Sequence, residues 1–208
     1  MAKNLIQAVV LDLGNVLIDF DYNIAAKRIA EISDTSADEA FAVFFDSPLA
    51  GLFEEGRISP QDFFVKVKET LNLPLEYERF LPIWNEIFYL SRENLKVYDL
   101  AKSLKNDYRL ALLSNVDILH LEYLKDKFPV FDAFDAIIAS CELKMKKPDP
   151  RIYQKTLEAL GVQPEHTFYT DDRPELIQGA RRLGIQGFIF KGIEQLNQDL
   201  ASVGITLN

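Results

Sequence analysis

Short, uninterrupted apolar runs alternate with amphipathic stretches after residue 93, whereas residues 22–90 carry amphipathic patterning alone. The N-terminal run Ala8-Val9-Val10-Leu11 is continuous rather than alternating, which predicts a parallel strand buried on both faces. It ends at Asp12, and Gly14 and Asn15 mark a turn. From Tyr22 onward the pattern predicts helices. Ser36, with Glu39 three residues on, reads as a capping box ahead of Phe41, Phe44 and Phe45. Ser59 and Pro60 form an N-cap with proline at the first helical position. The helix they open sets Phe63, Phe64, Val67 and Leu71 on one face, and the next does the same with Phe80, Ile83, Trp84, Ile87 and Phe88. These stripes read as the core of a small helical unit, not as a ligand wall.

From Glu93 helix and strand take turns. A helix through Leu95 and Leu104 leads to a second strand over 108–113, and a helix over 119–128 leads to a third over 134–140. The helix over 150–160 stops at Gly161 before a fourth strand, 166–170. Pro174 opens a helix terminated by Gly184, followed by a fifth strand over 187–190 and a last helix over 194–201. Such alternation implies right-handed crossovers and a doubly wound, mostly parallel α/β sheet, with the helical unit inserted after the first strand.

A chain of 208 residues with 48% apolar content holds one substantial domain and a smaller insert. The net charge of -9 and pI near 4.8 exclude a general affinity for nucleic acid or anionic membrane, because no surplus of Lys and Arg neutralises phosphates. A small phosphorylated ligand stays compatible, since one metal ion and one lysine set the local field. The single cysteine, Cys141, makes no internal disulfide, and MAKNLIQ lacks the long apolar segment of a secretion signal. No stretch reaches the roughly 18–20 apolar residues of a membrane span. A soluble, cytoplasmic protein is expected, monomer or homodimer, with exposed aromatics of the helical unit as the patch for a dimer.

Several strands end in polar residues at what must be one edge of the sheet: Asp12 after the first, Ser114 and Asn115 after the second, Asp171 and Asp172 after the fourth. Lys147 lies in the connection after the third. Singly, each has an ordinary role as a cap, a turn or part of the solvated run Lys144, Lys146, Lys147. Together they describe a site. Three carboxylates in one crevice need raised pKa values or a cation, and hard oxygen ligands favour Mg²⁺, which commonly shares its octahedron with phosphate oxygens. Lys147 and Ser114 would then hold phosphoryl oxygens, and Asp12 would attack phosphorus to form an aspartyl-phosphate.

The segments LDLGNVL (11–17), LLSNVD (112–117), Lys147-Pro148-Asp149-Pro150 and FYTDD (168–172) together resemble the haloacid dehalogenase-like hydrolase superfamily. DLGNV and FEEGRIS (53–59) resemble, more narrowly, the bacterial α-D-glucose-1-phosphate phosphatases, with the phosphatase domain of soluble epoxide hydrolase a more distant likeness. The resemblance implies a Rossmann-like core over 1–20 and 92–208 and a helical cap over 21–91 that sets substrate identity. It implies Asp12 as nucleophile and magnesium ligand and the Gly14 carbonyl as a second ligand. Asp171 and Asp172 complete the metal site, one of them directly, and Ser114, Asn115 and Lys147 bind the phosphoryl group. Within the cap, Phe53, Glu54, Glu55 and Arg57 are the first to examine, Arg57 as a second anion contact.

Two positions depart from the superfamily pattern. Phosphatases that it resembles usually carry a second Asp, the acid–base group, where Gly14 stands, and such a group contributes about 10²–10⁴-fold. Water, Asp19, Asp21 or the substrate would have to replace it. Leu176 stands where an Asn often orients the metal shell, which implies a less rigid site. The expected activity is Mg²⁺-dependent phosphomonoester hydrolysis of a small metabolite, such as a sugar phosphate like glucose 1-phosphate. A metal-free 2-haloacid dehalogenase is one alternative, disfavoured by the charge of Asp171 and Asp172 beside the nucleophile. A non-catalytic phosphosugar-binding protein is the other.

Overall fold

The structure, a computed structural model, describes residues 6–205; the ends of the chain, including MAKNL, lie outside the described residues. The first half comprises β1 (Ala8–Leu11), β2 (Asp19–Phe20), α1 (Tyr22–Ala30), α2 (Ala37–Phe45), α3 (Pro48–Glu54), α4 (Pro60–Leu71), α5 (Tyr77–Asn85) and β3 (Phe88–Tyr89). Then come α6 (Arg92–Leu104), β4 (Arg109–Ser114), α7 (Ile118–Lys127), β5 (Ala136–Ala139), α8 (Ser140–Leu143) and α9 (Pro150–Leu160). The chain closes with β6 (Thr167–Asp171), α10 (Pro174–Arg181), β7 (Gln186–Ile189) and α11 (Ile193–Ser202).

Five strands form one parallel sheet in the order β5-β4-β1-β6-β7. β1 is central, with β4 on one side and β6 on the other. The chain builds one half of the sheet, then crosses back past β1 to build the second, so a crevice opens beyond the carboxyl end of β1. The continuous apolar run explains itself in this place. Val9 and Leu11 pack with Leu110, Leu112 and Phe168 on one face, while Ala8 and Val10 pack with Ala111, Leu113 and Tyr169 on the other. Leu11 pairs in register with Leu112 and Thr170, so Asp12, one residue on, comes level with Leu113 and Asp171.

The helical segments between β2 and β3 bury their own core of Phe44, Phe53, Phe63, Phe80 and Trp84. Their starts follow local chemistry. Ser36 and Glu39 form the capping box, and Ser59 caps α4 with Pro60 at its first turn. The two-residue antiparallel pair β2–β3 ties together the entrance and exit of this unit, a pairing that no local pattern announced. Asn94, at the start of α6, reinforces the same junction through the Val16 carbonyl (3.3 Å) and Asp19 (3.1 Å). Among the described residues, no helix is long and apolar enough to cross a membrane.

The turn after α3 docks on the sheet domain. Gly56 has φ of +62°, and a Cβ there would overlap the Cys141 carbonyl oxygen in α8. The Ser140 hydroxyl donates to the Glu54 carbonyl at 2.6 Å beside it. Gly56→Ala is therefore expected to lower the free energy of unfolding by about 1–3 kcal/mol. The loss should be read as a lower urea midpoint with unchanged m.

Candidate active site

Asp12 stands at the end of a buried strand and retains 7% exposure, while Asp171, level with it on β6, retains none. Two like charges in that setting repel strongly. The loop carrying Lys147 resolves the conflict. Its Nζ donates to Asp12 Oδ1 at 2.7 Å, to Asp171 Oδ2 at 2.6 Å and to the Leu113 carbonyl at 2.9 Å. Lys147 itself is 2% exposed, so it is no part of a solvated charge run. The loop is held by Asn115, whose Nδ2 donates to the Lys147 carbonyl at 3.0 Å and whose Oδ1 accepts the Lys147 amide at 2.8 Å.

Electrostatics follow burial. Desolvation raises the Asp12 carboxyl from 3.8 to about 7, against the pull of the Lys147 ammonium. Burial works against the charge on Lys147 as well, yet the facing Asp12 and Asp171 carry it above the ordinary lysine value. Asp172 is also raised, chiefly by burial, although Asn15 Nδ2 donates to its Oδ2 at 2.9 Å. Asn15 makes that contact from a left-handed turn with φ of +56°.

Asp12, Asp171 and Asp172 present carboxylate oxygens within 4.8 Å of one another, an all-oxygen set suited to a hard divalent cation. They are not equivalent. Asp171 Oδ2 already accepts Lys147 and the Tyr169 hydroxyl, and its Oδ1 accepts the Arg173 amide at 2.9 Å. Asp172 spends one oxygen on Asn15 and lines the cavity with the remainder of its carboxylate.

A cavity of about 380 Å³ opens above these groups, between the sheet edge and the helical unit. Asp12, Gly14, Ser114, Asn115, Lys147 and Asp172 line its floor. Glu54, not Glu55 or Arg57, lines its side, where it pairs with Lys146 at 2.8 Å. Glu55 and Arg57 pair with each other at 2.8 Å, outside the cavity wall. The aromatic stripes are both core and wall: Tyr22 stacks on Phe45 at 3.9 Å, Phe45 stacks on Trp84 at 5.2 Å, and all three face the cavity. Expecting core alone missed this, because a helix so short presents its aromatics to both sides.

Sequence reasoning also missed a buried link between the two parts of the molecule. Asp117 caps α7 and accepts from His120 Nδ1 at 2.7 Å, while His120 Nε2 lies 3.0 Å from the Trp84 carbonyl in α5. The imidazole lies flat against Trp84, with ring centroids 4.8 Å apart. The three-residue spacing of Asp117 and His120 was a visible signal of their meeting; Trp84 was not. Tyr169 had a strand signal too, since it lies two residues before Asp171 and shares its face.

Compared with known proteins, a family model described as haloacid dehalogenase-like hydrolase matches residues 6–184. The chain belongs to the haloacid dehalogenase-like hydrolases. D-ribitol-5-phosphate phosphatase of Bacteroides thetaiotaomicron is 24% identical, the match covering 88% of this chain and 91% of the relative. A HAD family enzyme of the same organism, solved with magnesium and inorganic phosphate, superposes with a TM-score of 0.79 at 28% identity, covering 89% of this chain and 94% of that one. A HAD-like family hydrolase from Porphyromonas gingivalis gives 0.79 at 26%, covering 96% and 98%.

Lys147→Met would leave Asp12 and Asp171 facing each other without a counter-charge. The expected loss is about 3–5 kcal/mol of stability at pH 8. It should shrink at pH 5, where Asp12 is protonated in the fold, and urea melts at the two pH values would check this.

Proposed function

We propose that the chain is a magnesium-dependent phosphomonoester hydrolase acting on a small phosphorylated metabolite such as a sugar phosphate. The reading rests on the buried Asp12, bonded to Lys147 and clustered with two further carboxylates at the floor of the cavity. A named relative that is a phosphatase of a sugar alcohol phosphate, and a structural relative that holds magnesium and phosphate, support it.

In this mechanism Asp12 attacks phosphorus in line, the alcohol oxygen leaves, and Asp12 carries the phosphoryl group as an acyl phosphate, which water then cleaves. Lys147 and Ser114 hold the phosphoryl oxygens, and Asn115 holds the Lys147 loop. Asp12, the Gly14 carbonyl and Asp172 would hold the metal; Asp171, with both oxygens bonded inside the protein, orients Lys147. When bound, magnesium offsets the charge of the carboxylates and of the transferring phosphoryl group. Helices α1–α5 serve as the cap over residues 6–20 and 92–205, with Trp84, His120 and Asp117 joining the two.

The 2-haloacid dehalogenase reading requires a haloacid anion to approach Asp171 and Asp172 without a cation, and chloride release from 2-chloropropionate in EDTA would establish it. A phosphosugar-binding protein without turnover would show binding and no phosphate release across a substrate panel. For the phosphatase, Asp12→Asn is expected to cut Mg²⁺-dependent phosphate release from p-nitrophenyl phosphate by about 10³-fold or more. Undiminished release would refute the assignment.

Magnesium binding should also carry a proton signature. Without metal, the folded chain keeps a proton on Asp12 between the ordinary 3.8 and about 7 that the unfolded chain releases. That contribution to stability is therefore lost as the pH rises through the window. Mg²⁺ requires the ionised carboxylate, so its affinity should rise with pH up to about 7, with proton release on binding. Calorimetry at pH 6 in buffers of different ionisation enthalpy would detect the proton.

A further inference from the structure

Gly14 stands two residues beyond the nucleophile, on the loop that forms the cavity floor. A Cβ on Gly14 would lie 2.8 Å from Phe20 Cε1. That ring is itself braced, with Tyr22 at 4.6 Å and Phe88 at 6.0 Å between centroids. The space beside the nucleophile that a side chain would occupy is thus filled by a hydrocarbon face, which neither gives nor takes a proton.

Among the described residues, no other group at the cavity stands ready to do so. Asp117 and His120 are bonded to each other and to Trp84, and Glu54 is paired with Lys146. Arg173 is paired with Glu175 at 2.6 Å. Lys147 Nζ is engaged by the two carboxylates that it separates and by the Leu113 carbonyl. Asp19 accepts from Asn94, and Asp21 caps α1; neither lines the cavity, so neither replaces the missing carboxyl. Two groups remain. Asp46 is exposed to water at the end of α2, and the Tyr22 phenol is pushed above its ordinary value by burial and by Glu54 and Asp117.

We propose that this site is selective for phosphate esters whose bridging oxygen departs as a stabilised anion, namely aryl, enol, acyl and anomeric phosphates, over esters of simple alcohols. The inference rests on the phosphatase reading. In the first step a bond forms between an Asp12 carboxylate oxygen and phosphorus while the bond from phosphorus to the bridging oxygen breaks. The electron pair stays on that oxygen, which takes its proton from solvent water after leaving. No described residue is placed to hand that oxygen a proton as it leaves, so the barrier tracks the acidity of the departing alcohol. General acid help, where present, contributes about 10²–10⁴-fold and flattens such a dependence.

The test uses the full chain with Mg²⁺ and a series of near-equal shape: p-nitrophenyl, phenyl and benzyl phosphate, read as kcat/KM. The expected result is a steep fall along the series, with benzyl phosphate slower than p-nitrophenyl phosphate by about 10²-fold or more. Tyr22→Phe and Asp46→Asn should keep that slope. The paired substitution Gly14→Asp with Phe20→Ala restores a carboxyl and the room for it, and should flatten the slope by raising benzyl phosphate turnover. Equal rates for phenyl and benzyl phosphate would overturn the inference alone. So would a slope that steepens in either single variant, because it would identify that residue as the acid. No Mg²⁺-dependent release from any member would overturn the phosphatase reading, and this inference with it.

Discussion

The ammonium of Lys147, buried between Asp12 and Asp171, is the interaction on which the sheet edge depends. Two carboxylates from neighbouring strands would repel at that depth, and a lone ammonium would not enter it. Each is tolerable only when the other is paired with it in good hydrogen-bonding geometry. The placement draws on β1 and β6 in register, on the β4 carbonyl of Leu113, and on Asn115 clasping the loop from both sides. A buried pair of this kind adds little net stability compared with an apolar substitute, and an arrangement with the strands out of step would leave its charges unpaired. The same charges that constrain the fold then lie at the floor of the cavity.

Burial also sets the protonation of Asp12. A carboxyl held near 7 is half-committed to its proton in the metal-free protein, and a cation in the Asp12, Asp171, Asp172 cluster would release it. The asymmetry between the adjacent acids has a structural cause. β6 ends at Asp171, whose side chain is turned into the protein toward Lys147 and Tyr169, while Asp172 begins the next turn and looks into the cavity. One turn of backbone thus divides two identical side chains between two environments.

The helical unit closes the cavity through three different contacts. Gly56 lets the α3 turn press on the Cys141 backbone, Glu54 reaches Lys146, and His120 spans from Asp117 to the Trp84 carbonyl. None is large, and each depends on a residue whose size or hydrogen-bonding geometry admits no simple substitute. They act on the wall that the aromatic stack Tyr22–Phe45–Trp84 presents to the floor. The ring of Phe20 extends that wall to the loop after Asp12, where it fills the space beside Gly14.

The order of strands and helices was legible in the chain because burial on both faces and one-sided helical burial leave different periodicities, and Ser59–Pro60 or Gly161 mark their ends through local backbone chemistry. The meeting of Asp12 with Asp171, 159 residues apart in the chain, was legible too, since parallel strands must share one carboxyl edge. Strand ends shifted by a residue, as at Ser114 and Asp171, because pairing with a neighbour, not local preference, decides where a strand stops. Tertiary structure alone decided that Lys147 is buried while Lys146 lines the rim, that Glu54 and not Glu55 faces the cavity, and that Phe20 fills the space beside Gly14. Periodicity records which face of an element is apolar; it does not record what is brought against that face, and the site is made of those meetings.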